Sequence, residues 1–516
     1  MAYDYAPFPY TAPPGLTAPE PRHAVAIVGA GPIGLAMAID LAQHGIKSVV
    51  LDDNNVVSVG SRAICWAKRT LEIFDRLGVG ERMRNKGVTW KVGRLFHGAD
   101  EVYSFDLLPE DGHKYPAFVN LQQYYVEQYL VERAQELSDF IDLRFLNKVT
   151  GHTDHGDHVR LGVETPDGVY EIEAEFYIAA EGAGSPTRKR MNLPFEGQTF
   201  EEHFLIVDVE LPNSPFETED PERWFWFAPP FHAGQSALLH KQPDNIYRID
   251  LQLGPETDPK SEATEEKVIP RIKAIIGDMP FRLDWMSVYK FRCAKLDRFV
   301  HNRVLFVGDS AHVVSPFGAR GGNGGIQDVD NLGWKLAAVL NGAPATLLDS
   351  YDTERRHGSD ENILNSSRAT NFMTPKTEIE ALFRNETLTL AGKHPFARKL
   401  INSGRLSQPC ALADMPLQTG NHPLVGRALI DLPMPSGWLV EAAQGRFCLL
   451  TLDDQDWHAP ENAAAIPLPA TPERQARYGD TGAFLVRPDG HICAYFDTPD
   501  TVAIQTALSR ATGATP

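Results

Sequence analysis

The sequence predicts an α/β protein, with a β–α–β unit near its start, a sheet region in its middle and a small C-terminal domain. Residues 23–53 contain an apolar β-branched run, a glycine-rich turn, a helical stretch and a second apolar run. Between about 200 and 290, apolar and polar residues alternate, as is typical of sheet strands. Two further strand-like runs, 445–453 and 482–496, follow a Pro-rich link.

The composition of the chain argues against several classes of binding partner. The chain has 516 residues, of which 43% are hydrophobic, and it can form two or three domains. Its formal net charge of −19 would repel nucleic acids and anionic membranes. The sequence contains no run of 18 apolar residues, so no membrane span is predicted. The first 23 residues lack the features of a secretory signal. Five scattered cysteines without metal-ligand spacing predict reduced thiols in the cytoplasm and no metal site.

The first glycine cluster lies in the segment HAVAIVGAGPIGLAMAIDLAQHGIKSVVLDD (23–53). Gly29 permits a tight turn, Gly31 lets the backbone approach a pyrophosphate, and Gly34 lets the helix pack on the strand. Asp52 ends the second strand and is placed to accept hydrogen bonds from ribose hydroxyls. Because an acid there disfavours a 2′-phosphate, this Rossmann-type unit predicts NAD or FAD as ligand and excludes NADP at this site.

A second glycine cluster, VGDSAHVVSPFGARGGNGG, occupies residues 307–325. The apolar run before it predicts a buried strand that ends at Gly308 and Asp309. Helical spacing of apolar residues begins at Ile326, so the glycines are predicted to precede a helix whose positive end faces the ligand. No second strand–GxGxxG–helix unit and no CxxxxC pair occur. One dinucleotide is therefore expected to bind tightly. Any second dinucleotide would bind only transiently, without a domain of its own.

Three ordered segments resemble the fingerprints of FAD-dependent aromatic hydroxylases, the single-component flavoprotein monooxygenases of the p-hydroxybenzoate hydroxylase and phenol hydroxylase type. They are the glycines of 29–34, AEGAGSPTR at 180–188, and VLFVGDSAHVVSPFGARGGNGGIQDVDNLGWKL at 304–336. The order and spacing match over about residues 24–360. The resemblance implies a Rossmann-type FAD-binding domain, a mixed-sheet substrate domain and a thioredoxin-like C-terminal domain without CxxC.

The expected domain boundaries follow from this match. An extended N-terminal tail covers residues 1–22. The FAD-binding domain is discontinuous, comprising 23–195 and 286–400, and the substrate-binding sheet domain lies between its parts at 196–285. The thioredoxin-like domain covers 420–516 and is expected to have a structural or dimerisation role.

The resemblance also implies roles for individual residues in holding FAD. Asp52 would hold the adenosine ribose, Arg62 would lie near the pyrophosphate, and Gln123 would contact the ribityl and pyrophosphate region. Glu181 stands where the family usually has Asp. Arg188 would either anchor the incoming nicotinamide nucleotide at the surface or form a plain salt bridge. The other expected FAD-binding residues, near the ribityl chain and the ring, are Gly308, Asp309, Pro316, Gly321, Gly322 and Asn323.

Fewer residues are expected on the substrate side. Tyr289 stands where phenol hydroxylases place a tyrosine that touches the substrate hydroxyl, and it is a catalytic candidate. Arg320, among the glycines, either touches flavin or substrate or points to solvent. Trp224 and Trp226 either line an aromatic pocket or pack as ordinary strand residues, and His240 is a polar contact or a solvated side chain.

The activity that the resemblance implies is hydroxylation of a small phenolic substrate. NADH or NADPH would reduce tightly bound FAD, and O2 would form a flavin carbon-4a hydroperoxide that transfers one oxygen atom to the ring. The same fold also supports Baeyer–Villiger or epoxidase chemistry, and a non-catalytic flavoprotein is a further alternative. WFWFAP (224–229) is similar to a halogenase motif, W-x-W-x-I-P, but with alanine in place of the isoleucine. The expected assembly is a cytoplasmic homodimer.

Overall fold

A computed structural model describes residues 3–60, 62–108, 110–216, 220–232, 234–254, 257–401, 408–443 and 445–514. The strands are β1 (His23–Val28), β2 (Ser48–Leu51), β3 (Cys65–Ala67), β4 (Val88–Thr89), β5 (Val92–His97), β6 (Asp100–Asp106), β7 (Phe118–Asn120), β8 (Ile141–Arg144), β9 (Lys148–Asp154), β10 (Val159–Thr165), β11 (Gly168–Ala179), β12 (Glu196–Glu210), β13 (Glu222–Phe227), β14 (Ser236–Lys241), β15 (Ile246–Leu253), β16 (Arg282–Lys295), β17 (Val300–His301), β18 (Val304–Phe306), β19 (His312–Val313), β20 (Phe447–Thr451), β21 (Ala463–Pro467), β22 (Ala483–Val486) and β23 (Ile492–Phe496).

The helices are α1 (Pro32–Gln43), α2 (Lys68–Arg76), α3 (Gly80–Lys86), α4 (Gln123–Glu136), α5 (Pro186–Arg190), α6 (Pro259–Glu262), α7 (Glu265–Ile276), α8 (Gly321–Leu340), α9 (Leu347–Met373), α10 (Glu378–Lys393), α11 (Pro395–Ile401), α12 (Leu439–Ala443), α13 (Pro472–Tyr478) and α14 (Thr501–Ala511). Within the described residues, no helix is long and apolar enough to cross a bilayer.

The first sheet holds the predicted nucleotide-binding unit. Its strands run in the order β17-β18-β11-β1-β2-β8, and β1 pairs in parallel with both β2 and β11. The strands at its centre are continuous apolar runs because α1 packs against the sheet, α8 packs on α1, and together they exclude water from a shared core. The sequence prediction of a β–α–β unit over 23–53 is confirmed, and the second glycine cluster follows β18, in the same sheet.

The second sheet runs in the order β19-β16-β12-β15-β14-β13-β5-β6. The predicted range 196–285 supplies β12 to β15 and the start of β16, as the alternating pattern indicated. The hairpin β5–β6 comes instead from within the range 23–195, and β5 pairs in parallel with β13. One face of the sheet is covered by α7, whose Val268 and Ile272 are fully buried against it. We call this the back face and the opposite one the front face.

The C-terminal unit has the strand order β21-β20-β22-β23, with β20 parallel to β21 and the other pairs antiparallel. With α13 before β22 and α14 after β23, this is the predicted thioredoxin-like arrangement. A loop, residues 452–462, joins β20 to β21, where a thioredoxin has a helix. The unit docks on α8 and α9 through a buried ion network that includes Arg487 and Glu354.

The N-terminal segment lies extended across the first domain. Phe8 stacks on Phe145 at 4.7 Å between ring centroids, and Tyr3 packs on Tyr124 at 4.3 Å. The hydroxyl of Tyr5 accepts a hydrogen bond from the Gly60 amide at 3.1 Å. Aromatic contacts thus hold the tail against α4 and the residue after β8, and a hydrogen bond ties it to the segment that follows β2.

Candidate active site

The first glycine turn leaves a hollow before α1. Gly29 has a φ of +109°, and a Cβ added to Gly34 would collide with the Gly29 carbonyl, so both positions need glycine. A Cβ added to Gly31 would meet nothing within 4 Å, so space is open in front of the helix N-terminus. Helix α1 starts at Pro32 without a capping side chain, and its first amides are available to an anion there.

Asp52 lies at the end of β2 and is bound to the same turn. Its carboxylate accepts hydrogen bonds from the Ala30 amide at 2.5 Å and the Asn54 amide at 2.8 Å. Burial raises the pKa of Asp52 above its ordinary value, and these amides only partly offset that effect. Each oxygen keeps a lone pair for a further donor, so the group can also accept from a ribose hydroxyl.

Glu181 and Arg188 form hydrogen bonds that hold the segment around α5 in place. The Glu181 carboxylate accepts hydrogen bonds from the hydroxyls of Ser185 and Thr187 and from the Thr187 amide. Arg188 is buried and donates to the carbonyl of Ser310 at 2.9 Å. Among the described residues it has no carboxylate partner. Arg188 is therefore neither a surface anchor nor part of a plain salt bridge. It links α5 to the second glycine cluster by a buried hydrogen bond.

The loop after β18 is held by a buried carboxylate. Asp328 accepts hydrogen bonds from the Gly308 amide at 2.9 Å, from His312 Nε2 at 2.7 Å and from Arg355 Nε at 2.7 Å. The neighbouring Asp309 is exposed, and its carboxylate makes no hydrogen bond with the described part of the chain. Desolvation by neighbouring protein atoms nevertheless raises the pKa of Asp309 above its ordinary value. A carboxylate in such a setting is ready to accept hydroxyl donors from a ligand.

Helix α8 begins at Gly321, five residues earlier than Ile326, where the apolar spacing placed it. The glycines lower helix propensity, but Asn323 provides a tertiary anchor that outweighs this. Its side chain accepts from the Ala67 amide at 2.9 Å and donates to the Cys65 carbonyl at 2.8 Å, which joins the first turn of α8 to β3. Gly321 and Gly322 therefore lie within that turn, with Trp66 beside Gly322.

Other expected cofactor residues surround this helix start. Gln123 accepts a hydrogen bond from the Ala63 amide at 3.0 Å and donates to Glu127 at 2.8 Å, and so fixes the segment that carries the exposed Arg62. Pro316 is exposed and begins the turn that the Ala319 amide closes at 3.0 Å.

Arg320 immediately precedes α8. It is 5% exposed and donates to Asn362 Oδ1 at 2.9 Å, so the solvent-pointing alternative for Arg320 is wrong.

The two tryptophans of β13 lie on the back face of the second sheet. Trp226 packs on Phe96 and on Phe231, each at 5.5 Å between ring centroids, within the core that α7 covers. Trp224 contacts the same core and Phe216. Trp224 and Trp226 therefore pack as ordinary strand residues and do not line an aromatic pocket.

The front face carries a row of polar side chains across neighbouring strands. Strand register places Arg223, His240, Arg248, Asp208 and Trp285 opposite one another in that order. Arg248 and Asp208 form a two-pronged ion pair with distances of 2.8 and 2.9 Å. Sequence reasoning missed Arg223 and Asp208, although their alternation with apolar neighbours was a signal that they share a face.

The front face lies over the second glycine cluster. Phe204 contacts Phe317 at 5.1 Å between ring centroids, and the Ser236 hydroxyl donates to the Met373 carbonyl. Arg223 reaches the thiol of Cys65, in the strand that Asn323 ties to α8. The structure thus brings together the glycine cluster, the start of α8 and the face that carries His240.

Tyr289 lies on the same front face, opposite Phe204, with its ring 6.2 Å from that of Trp285. It is therefore four residues along β16 from Trp285, the member of that strand in the row that contains Arg223 and His240.

Comparison with known families identifies the assembly. A family model described as an FAD-binding domain matches residues 22–366, and one described as the C-terminal part of aromatic-ring hydroxylases matches residues 422–515. The chain belongs to the FAD-dependent aromatic-ring hydroxylases. This hydroxylase is 30% identical over 505 residues to 12-dehydrotetracycline 5-monooxygenase/anhydrotetracycline 6-monooxygenase of Streptomyces rimosus, covering 92% of this chain and 95% of the relative.

Solved structures agree with this assignment. Anhydrotetracycline hydroxylase from Streptomyces rimosus is 27% identical with a TM-score of 0.73, covering 96% of this hydroxylase and all of the relative. The flavin-dependent monooxygenase PieE, solved with FAD and substrate, has the same fold, with a TM-score of 0.80 at 21% identity and coverage of 96% and 100%. Three features are suited to FAD: the open space at Gly31, and, within the described residues, an Asp309 carboxylate without a hydrogen-bond partner and amides at the start of α8 that are not bonded.

Replacing Asp309 with asparagine tests its expected contact with FAD. Because Asp309 is exposed in the FAD-free protein, exchanging its carboxylate for an amide should leave the stability of that form nearly unchanged. We expect Asp309→Asn to weaken FAD binding about 10- to 100-fold, through loss of a charge-assisted hydrogen bond. Fluorescence titration with FAD and thermal unfolding measure both effects.

Asp297→Asn is a matched control, because that carboxylate is exposed and lies 3.4 Å from the half-buried Arg356. It should change neither quantity. Unchanged FAD affinity in Asp309→Asn would contradict the assignment of Asp309.

Proposed function

We propose that this hydroxylase consumes NADH or NADPH and O2 to hydroxylate a phenolic compound, held between the second glycine cluster and the front face of the mixed sheet. The observation that carries the proposal is the juxtaposition of two features. One is the start of α8, which has almost no side chains and whose amides bond to nothing in the described part of the chain. The other is a buried row of polar groups on the facing sheet. FAD supplies the chemistry, by accepting electrons and activating O2.

The chain's own residues would hold FAD at both ends. The turn of Gly29, Gly31 and Gly34 and the N-terminus of α1 would bind the pyrophosphate, with Asp52 at the adenosine ribose. Asp309 would accept from a ribityl hydroxyl. The first amides of α8 would stabilise negative charge on the ring, since a helix N-terminus offers donors and a positive potential.

The sheet would orient the substrate and exclude water. Rings of Phe204, Phe291 and Phe317 pack together beside the glycine cluster and close one side of the site. The polar groups in the row of Arg223 and His240 offer donors to a ring hydroxyl. The names of the relatives include aromatic substrates as different as para-nitrophenol and anhydrotetracycline, which supports an aromatic substrate without fixing its size.

The test is oxygen incorporation. FAD-loaded protein is mixed with NADH or NADPH and a panel that includes para-nitrophenol, simple phenols and anhydrotetracycline under ¹⁸O2. We expect at least one aromatic to stimulate both NAD(P)H oxidation and oxygen uptake, and to gain one labelled oxygen atom by mass spectrometry. Label derived only from water, or the absence of stimulated oxygen uptake with every aromatic, would contradict the proposal.

We also propose a homodimer in a reducing cytoplasm. Ile379, Phe383 and Phe396 on α10 and α11 are 75%, 59% and 65% exposed, and such a surface is costly to leave in water. The five cysteines are all buried as free thiols, which suits a reducing compartment. Light scattering during gel filtration would give twice the chain mass for the dimer, and the chain mass alone would contradict it.

A further inference from the structure

We call residues 54–60 the connecting segment, because they lead from Asp52 towards Arg62, two residues expected to bind FAD. The structure describes all of the connecting segment and places none of it in a helix or strand. Its Gly60 has a φ of +76°, and the ring of Trp285 leaves no room there for a Cβ. Without secondary structure of its own, the segment depends on contacts with other parts of the chain for its conformation.

The start of the N-terminal tail supplies such contacts, and we call residues 3–8 the strap. The Phe8 amide donates a hydrogen bond to the Asn55 carbonyl at 2.6 Å, and the Asn55 side-chain amide donates back to the Phe8 carbonyl at 2.9 Å. The Tyr5 hydroxyl accepts a hydrogen bond from the Gly60 amide at 3.1 Å. The strap is therefore bonded to both ends of the connecting segment.

Aromatic rings anchor the strap to the first domain. Tyr3, Tyr5 and Phe8 are half-buried, whereas the residues between them are exposed. The ring centroids of Tyr3 and Tyr5 lie 4.3 and 5.7 Å from that of Tyr124 in α4, and Phe8 stacks on the ring of Phe145. The strap precedes residue 22, where the match to the FAD-binding family begins, so its contacts lie outside the matched part of the chain.

Arg62 lies between two fixed points of the backbone. Tyr5 bonds the Gly60 amide before it, and Gln123 accepts a hydrogen bond from the amide of the residue after it at 3.0 Å. The Arg62 side chain is exposed, and its charge reaches the second glycine cluster. Desolvation raises the pKa of Asp309, and the positive charge of Arg62 is one of several that lower it again. A guanidinium in that place is available to a phosphate of FAD.

We propose that the strap positions Arg62 for FAD and slows the release of the cofactor. Such a role goes beyond the proposed function, because it concerns how FAD is retained, and it rests on the expected place of Arg62 beside the pyrophosphate. An arginine whose backbone is already fixed binds a phosphate with a smaller loss of conformational entropy. Without the strap, the connecting segment would have to be ordered as FAD binds, and the affinity would fall.

The test compares the full chain with Tyr5→Ala and with a chain that lacks residues 2–8. Calorimetric titration of FAD-free protein gives the affinity, and flavin fluorescence after dilution of FAD-loaded protein gives the release rate. We expect both variants to bind FAD about tenfold more weakly and to release it about tenfold faster, as when one backbone residue must be ordered on binding. Asp4→Asn is the control within the strap, because Asp4 is exposed, and it should match wild type.

Tyr5→Phe separates the hydrogen bond from the ring. It keeps the aromatic contacts and removes the acceptor for the Gly60 amide, so we expect a smaller effect on FAD affinity, about threefold. Should the chain without residues 2–8 fail to fold, Tyr5→Ala and Tyr5→Phe still carry the comparison.

A double-mutant cycle with Arg62→Met distinguishes positioning from a merely structural role. Arg62→Met alone should weaken FAD binding about tenfold, and removal of residues 2–8 from that variant should weaken it by less than about twofold more. Arg160→Met is the matched control, because Arg160 is exposed and paired with Glu173. In that background, removal of the strap should keep its full effect.

Wild-type FAD affinity and release rate in Tyr5→Ala and in the shortened chain would overturn the proposal. Equal effects of strap removal in wild type and in Arg62→Met would also overturn it, and would assign the strap to the stability of the domain alone. Unchanged FAD affinity in Arg62→Met would leave the strap nothing to position. A wild type that incorporates ¹⁸O into aromatics while the strap variants retain FAD normally refutes the strap and leaves the proposed function intact.

Discussion

Gly34→Ala is expected to yield a chain that is purified without FAD. A Cβ at this position collides with the Gly29 carbonyl and approaches the Ala180 side chain, so α1 must move away from β1. Such overpacking costs about 3 kcal/mol, and it displaces the helix N-terminus that would bind the pyrophosphate. Flavin absorbance per chain after purification and thermal unfolding measure the two consequences.

Gly151→Ala is the control for the loss of a glycine. Gly151 lies in β9 and a Cβ there meets nothing within 4 Å, so both FAD content and stability should stay at the wild-type level. A yellow Gly34→Ala protein with wild-type FAD affinity would show that the first glycine turn does not hold the cofactor.

Arg487→Met is expected to destabilise the docking of the C-terminal domain by about 3–5 kcal/mol. Arg487 is fully buried and donates to both Glu354 oxygens, at 2.6 and 2.9 Å, while Lys335 contacts the same carboxylate at 2.8 Å. Without the guanidinium, the carboxylates of Glu354 and Asp489 lose their main counter-charge inside the protein. Urea unfolding followed by circular dichroism should show a shifted first transition.

The pH dependence of this network has a definite sign. Burial alone would raise the pKa of Glu354, but Arg487 and Lys335 more than offset it and hold the pKa well below its ordinary value. Its stabilising contribution is therefore present above the ordinary carboxyl range and is lost only as the pH falls towards the lowered pKa. Arg487→Met should begin to unfold at a higher pH on acidification than wild type.

Arg446→Met provides the comparison for Arg487→Met, because Arg446 is exposed and its guanidinium donates one hydrogen bond, to the Ala442 carbonyl, within the described residues. It should match wild type in urea and in acid. Equal stability of Arg487→Met and Arg446→Met would mean that the ion network does not hold the domain.

The elements that local sequence determines were predictable. The β–α–β unit over 23–53 is specified by adjacent residues, because a parallel buried strand, a glycine turn and an apolar helix each leave a local pattern. The strand that delivers Gly308 and Asp309 was predicted for the same reason. The place of the hairpin β5–β6 in the second sheet was not predicted. Its pairing with β13 joins residues more than a hundred positions apart and leaves no local signal.

Side-chain alternation shows which residues share a face, but not which face meets the ligand. Alternation places Trp224 and Trp226 on one side of β13, and only the position of α7 shows that this side is packed. Likewise, the start of α8 depends on Asn323 bonding to β3, a contact between residues far apart in the chain. The row of Arg223, His240 and Arg248 requires the strand order, which topology alone provides.

The central claim is that both glycine clusters serve one FAD, the first at its pyrophosphate and the second at its ribityl chain and ring. The most direct measurement is the number and affinity of FAD sites per chain, by calorimetric titration of FAD-free wild type, Gly34→Ala and Asp309→Asn. The account predicts one equivalent of FAD in wild type and weaker binding at that single site in both variants. Two equivalents in wild type, or a variant that loses one site and keeps another intact, would contradict it.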